Sequence, residues 1–254
     1  MIQYFTIEEN GHSICCKLYG NEGAAARNVV LLCHGFGGSK EQVAGARFAE
    51  TLVAERQDFC ALAFDWPTHG TDGKQKLTLS DCDAYLGIVC RWMRDNWHPD
   101  RIFVYANSFG CYLSLKYISE HDDPFCRLVL RCPAVDMHAV LTRIVSSAEN
   151  AAAFEQGNDV SFGFTRKIPI SRELLEELAH NDVAALDFTG DAHRFLILQG
   201  TADTVVSVSA VRAFAEKNGI AYVPFEGVDH SFTDPAQMAV AIRRILDFFL
   251  EGLA

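Results

Sequence analysis

Four short apolar runs, separated by stretches with helical spacing, constrain this chain more than any other feature. Asn28–Cys33, Phe59–Phe64, Arg101–Tyr105 and Cys126–Arg131 read as strands: each is brief, apolar and closed by a turn residue. Between them, residues 40–56, Leu79–Asn96 and 109–120 read as helices. The first carries Val43, Phe48, Leu52 and Val53 on its apolar side, and Thr78 or Ser80 caps the second. Strands joined by helical crossovers must run parallel, so the order predicts an α/β fold with helices on both faces of a mostly parallel sheet.

Upstream, residues 2–8 and 12–18 alternate apolar and polar around Asn10-Gly11, which predicts an antiparallel hairpin ahead of the parallel strands. Downstream, the alternation returns as Arg194–Leu198 (strand), Ser207–Lys217 (helix), Ala221–Phe225 (strand) and Pro235–Leu250 (helix). The total is about eight strands. Residues 134–190 break the rhythm. Helical stretches near 135–149 and 171–181 flank Asn158–Ile170, which is aromatic and glycine-containing without a long apolar strand. Hydrophobic periodicity persists throughout, so this is an insertion rather than a linker. The expected division is a core of 1–133 and 191–254 with the insertion at 134–190.

Several function classes recede on charge and cysteine usage. The net charge of −11 argues against a nucleic-acid partner, since phosphate binding needs clustered basic residues. No basic amphipathic helix and no membrane-length apolar run is present, so membrane insertion is not expected. Nine cysteines are scattered without a C-x-x-C pair, many in apolar runs such as those holding Cys33, Cys60 and Cys126. That suits buried thiols in a reducing cytosol. The first residues lack a basic region and a long apolar region, so no signal peptide is expected. The expected location is the cytoplasm; oligomeric state is not readable.

In an open parallel sheet, ligands bind beyond the carboxyl ends of the strands. The informative residues are therefore His34–Gly38, Asp65–His69, Ser108, Gly200–Asp203 and Gly227–His230. Ala106-Asn107-Ser108-Phe109-Gly110 joins a strand to a helix through small residues. This matches the G-x-S-x-G nucleophile elbow, with Ala106 in place of the first glycine. The same pattern also fits an ordinary turn with a capping serine. Ser108, Asp203 and His230 follow in the triad order of α/β-hydrolases.

Taken together, His34–Gly38, Asp65–Gly70, Ala106–Gly110, Gln199–Asp203 and Gly227–His230 resemble the α/β-hydrolase superfamily over essentially the whole chain. The likeness is to serine esterases and lipases with a short cap, including the cinnamoyl/feruloyl esterase-like and monoglyceride-lipase-like groups. Lys167–Leu178 resembles part of their cap. The resemblance implies that Ser108 is the nucleophile, His230 its base and then the acid for the leaving alcohol, and Asp203 the residue that orients the imidazole. Asp229 is the rival carboxylate. The backbone N–H groups of Phe36 and Phe109 would form the oxyanion hole, where each fixed donor is worth about 3 kcal/mol in the barrier. His34, Asp65 and His69 would support that loop, and Asn107 would influence the pocket floor.

The implied activity is hydrolysis of carboxylic esters with small to medium or aromatic acyl groups, the substrate being a small-molecule ester. An amidase or acyl-peptidase-like enzyme, a C–C bond hydrolase and a ligand-binding protein on the same fold are the alternatives. No cofactor is implied, and no cluster has zinc spacing. The 134–190 insertion would lie over Ser108. Its Phe154, Phe162 and Phe164 either form an aromatic binding surface or pack the cap onto the core.

Overall fold

Strand β3 (Asn28–Cys33) is buried along its whole length, as is β4 (Phe59–Phe64) beside it. Continuous burial is why both read as unbroken apolar runs rather than as alternating ones. The computed structural model describes residues 1–21, 26–163 and 166–253. Around these two strands it assembles β1 (Ile2–Glu9), β2 (His12–Tyr19), β5 (Arg101–Asn107), β6 (Phe125–Arg131), β9 (Phe195–Gly200) and β10 (Ala221–Phe225). The eight-stranded sheet has the order β1-β2-β4-β3-β5-β6-β9-β10. β1 and β2 form the antiparallel hairpin, β2 pairs antiparallel with β4, and the other neighbours are parallel.

Helices α1 (Val43–Glu55) and α8 (Pro235–Leu250) pack together, as do α2 (Leu79–Trp97) and α3 (Phe109–Glu120); α7 (Val208–Asn218) packs on β9 and β10. Phe48, Ala49 and Leu52 seal α1 to the sheet, whereas Val43, at its first turn, is exposed. Thr78, not Ser80, caps α2 by accepting from Asp81 N–H. Nine cysteines remain free thiols; Cys15 and Cys126 are partly exposed and the others are buried. No helix among the described residues is long and apolar enough to cross a membrane.

Between β6 and β9 the chain leaves the sheet. Of the helical stretch expected near 135–149, α4 (Met137–Val145) forms, and a further short helix, α5 (Ala151–Glu155), follows beyond it. Ser146, Ser147 and Asn150 lie between the two. Such side chains compete for backbone hydrogen bonds, and Asn150 Nδ2–H donates to Ile144 O at 3.0 Å. Two three-residue strands, β7 (Val160–Phe162) and β8 (Ile168–Ile170), then form a small antiparallel sheet. Helix α6 (Arg172–His180) follows, capped by Ser171.

Candidate active site

At the end of β5 the backbone turns sharply at Ser108, whose φ of 52° and ψ of −111° lie outside the regions favoured by side-chain-bearing residues. Such a conformation costs on the order of 1–3 kcal/mol and persists only where the surroundings impose it. Here they do. A Cβ on Gly110 would sit 2.2 Å from Cys33 O, so α3 leaves the sheet at a distance that only glycine allows. Ala106, in the first glycine's position, is fully buried between Cys33 and Leu130 without distorting either pairing. Ser108 N–H donates to Arg131 O at 3.0 Å, and Ser108 O accepts from Cys111 N–H at 3.0 Å. No described residue accepts a hydrogen bond from Phe109 N–H or Phe36 N–H, so both amides are available.

The loop after β3 is held from beneath. His34 Nδ1–H donates to Gly35 O at 2.8 Å, and its Nε2 accepts from Trp66 N–H at 3.3 Å. Those partners fix the neutral tautomer, and burial lowers its pKa to about 4. His69 Nδ1–H donates to Pro67 O at 2.8 Å; burial, then the neighbouring His34, lower its pKa to about 3. The His69 ring lies against Phe36 (5.6 Å between centroids) and Phe109 (6.3 Å), the two residues that carry the free amides. Asp65 is fully buried and accepts from Lys40 N–H (2.7 Å), Lys40 Nζ (2.6 Å) and Thr71 N–H (2.9 Å). Burial pushes its pKa up, but Lys40 and the backbone N–H groups outweigh that and hold it below the ordinary value.

Across from the elbow, His230 Nδ1–H donates to Asp203 Oδ2 at 2.7 Å, which leaves Nε2 free of that bond. Asp203 Oδ2 also accepts from Gln199 Nε2 at 3.0 Å, and Oδ1 from Val205 N–H (2.8 Å) and Val206 N–H (3.0 Å). Burial raises its pKa, but His230 and these amides bring it below the usual carboxylate value. Asp229, the rival, is spent on Thr233, accepting from its N–H at 3.0 Å and its hydroxyl at 2.5 Å. Ser108 and His230 line one cleft of about 460 Å³, within the range of about 300–1,000 Å³ common for small ligands. The Ser108 hydroxyl itself makes no hydrogen bond with a described residue.

A family model described as "Serine aminopeptidase, S33" matches residues 24–158, more than half of the chain. The chain belongs to that family. No curated protein gives a significant sequence match. Three solved structures are similar over nearly the whole chain. A hydrolase from Agrobacterium vitis S4 is 20% identical with a TM-score of 0.76, covering 98% of each chain. Est1E of Butyrivibrio proteoclasticus, seen with ferulic acid bound, is 19% identical with a TM-score of 0.75, covering 97% of this chain and 98% of that one. The monoacylglycerol lipase of Paleococcus ferrophilus is 19% identical with a TM-score of 0.70, covering 94% and 98%. The fold is the α/β-hydrolase fold.

In this serine aminopeptidase family member, the described walls of the cleft are Gly35–Ser39, Glu41–Ala44, Asn107, Ser108, His230 and Ser231. None comes from 134–190. The exposed Val43 finds its place here. The insertion leans on the loop carrying Phe36, which is itself part of the cleft wall. The Phe162 ring stacks on Phe36 at 6.4 Å, and a Cβ on Gly163 would lie 3.0 Å from Gly37 Cα. Phe154 packs under the Arg172 guanidinium at 4.8 Å, and Phe164 lies outside the described residues. Asn107 lines the cleft, as its place in the elbow suggests.

Sequence reasoning missed two neighbours of the His230–Asp203 pair. Cys132 offers a sulfur within 4.8 Å of ligand atoms on Asp203 and His230, a trio that could hold a metal ion, although burial keeps its thiol protonated, with a pKa of about 12. Arg131 is 1% exposed and reaches His230 O with Nη1–H at 3.1 Å. A strand-ending arginine followed by Cys-Pro carries no sequence signal of burial.

Proposed function

We propose that this protein hydrolyses carboxylic esters through an acyl-enzyme formed on Ser108. The observation that carries the reading is the 2.7 Å hydrogen bond between His230 and Asp203, facing the strained Ser108 turn across one cleft. In this scheme Ser108 Oγ attacks the ester carbonyl as its proton passes to His230 Nε2. The developing oxyanion is met by the N–H groups of Phe36 and Phe109. The tetrahedral species collapses, the alcohol leaves with the proton from His230, and water repeats the sequence on the acyl group. Asp203 stabilises the imidazolium and fixes its tautomer. Substrate binding must also bring the serine hydroxyl within hydrogen-bond reach of the imidazole, a distance that commonly tightens in the complex.

The ferulic acid on Est1E and the name of the monoacylglycerol lipase favour an ester substrate with an apolar or aromatic acyl group. The family description favours a second reading, cleavage of an amide or peptide by the same steps. A chain-length series of p-nitrophenyl esters, methyl ferulate and matched anilides separates the two, with Ser108→Ala as control. Faster turnover of esters, lost by at least about 10⁴-fold in the variant, is expected. Faster anilide turnover favours the second reading; equal activity in the variant removes Ser108 from the chemistry.

A further inference from the structure

Arg131 is a charged side chain buried at the end of β6, and among the described residues it has no carboxylate partner. An unpaired buried charge is costly, so the contacts it does make are informative. Nε–H donates to Tyr105 Oη at 3.1 Å, Nη1–H donates to His230 O at 3.1 Å, and the guanidinium lies 5.1 Å from the Phe232 ring centroid. Its own carbonyl accepts Ser108 N–H at 3.0 Å. One residue therefore grips both turns of the candidate site, the elbow through its backbone and the His230 loop through its side chain. Phe232, which covers it, is itself at a positive φ of 56° and donates its N–H to Asp229 O at 3.2 Å.

We infer that Arg131 is a positioning residue for the acid–base step: its backbone carbonyl and its side chain together fix the His230 loop against the Ser108 turn. This inference rests on the reading of Ser108 and His230 given above. Arginine suits the task because its planar guanidinium stays charged and can donate in two directions while stacking on a ring. The groups facing His230 are Asp203 and Cys132 beside the ring, Arg131 beneath its carbonyl, Ser108 across the cleft and Asp229 next in the chain. Arg131 is the cation among them, and it reaches His230 through the backbone carbonyl.

The test is the rate at which a fluorophosphonate labels Ser108 at fixed pH, on protein shown to be folded by circular dichroism. Ser108 Oγ bonds to phosphorus, fluoride leaves, and the serine proton passes to His230, so the rate reads the pair without choosing a substrate. Arg131→Met is expected to label at least about 30-fold more slowly. Arg131→Lys, which keeps a donor and the charge, should restore part of the rate, a rescue that a merely space-filling role would not give. Tyr105→Phe keeps the arginine but loosens its side chain, and should slow labelling severalfold. A wild-type rate in folded Arg131→Met overturns the inference. If that variant does not fold, an unaltered rate in Tyr105→Phe overturns it. Failure of the wild type to label, with Ser108→Ala indistinguishable, overturns the reading of the site itself and the inference with it.

Discussion

Ser108 and His230 face the same cleft but are held by opposite means. The Ser108 turn is fixed by the main chain: a positive φ, a glycine pressed against Cys33 O, and backbone hydrogen bonds into β6 and α3. The His230 loop is fixed by side chains, namely the Asp203 carboxylate and the Arg131 guanidinium. A nucleophile needs a place, which covalent geometry supplies at any pH. An acid–base group needs a place and a proton affinity, and only charges and polar contacts set the second.

This contrast can be broken from either side. The largest effect is expected from Asp203→Asn, which keeps the shape of the side chain but reverses what His230 Nδ1–H meets. Turnover should fall by about 10⁴-fold while thermal unfolding shifts little. A fall of less than tenfold would put the acid–base role elsewhere. Gly110→Ala addresses the other side. Its Cβ would lie 2.2 Å from Cys33 O, so the elbow must open or the fold must yield. Urea unfolding should show a loss of about 3 kcal/mol or more, and the labelling rate of the surviving folded protein should drop as well. An unchanged midpoint would mean that helix and sheet can separate at no cost.

A smaller effect separates the two sides by pH. His34 and His69, beneath the Phe36 and Phe109 amides, are held neutral by burial, with pKa values of about 4 and 3 against an ordinary 6.5. The unfolded chain takes up protons first, so their contribution is complete above about pH 6.5 and is lost as pH falls towards 4. For His34 alone, unfolding free energy should drop by about 2 kcal/mol between pH 7 and pH 5. Asp203, whose pKa is depressed, contributes above its ordinary value of 3.8 and loses that contribution only in stronger acid. Urea titrations at stepped pH should show the first loss in wild type and a smaller one in His34→Gln. An equal slope in both would remove His34 as its source.

Much of this architecture was legible because the sheet writes itself as apolar runs, and a residue placed just after such a run must lie at the sheet's carboxyl edge. Ser108, Asp203 and His230 were singled out that way, and the structure brings the last two into contact and sets Ser108 on the cleft that His230 lines. Other features left no such trace. β7 and β8 are three residues each, too short for any period to show. Val43 reads as part of the buried face of α1, yet as its first residue it projects past the sheet into the cleft. Arg131 reads as an ordinary charged strand end. Its burial depends on Phe232, a hundred residues later in the chain.

The buried thiols give the molecule a record of its own assembly. Cys33 lies in β3, Cys60 in β4, Cys82 and Cys90 in α2, Cys111 in α3 and Cys132 just beyond β6, each sealed and free. Burial raises the pKa of every one of these thiols, so an alkylating reagent meets neither access nor thiolate in the native state. During refolding, a brief pulse of such a reagent marks whichever elements are still open. Peptide mapping of the marks would then order the closing of the sheet strand by strand, without a single engineered label.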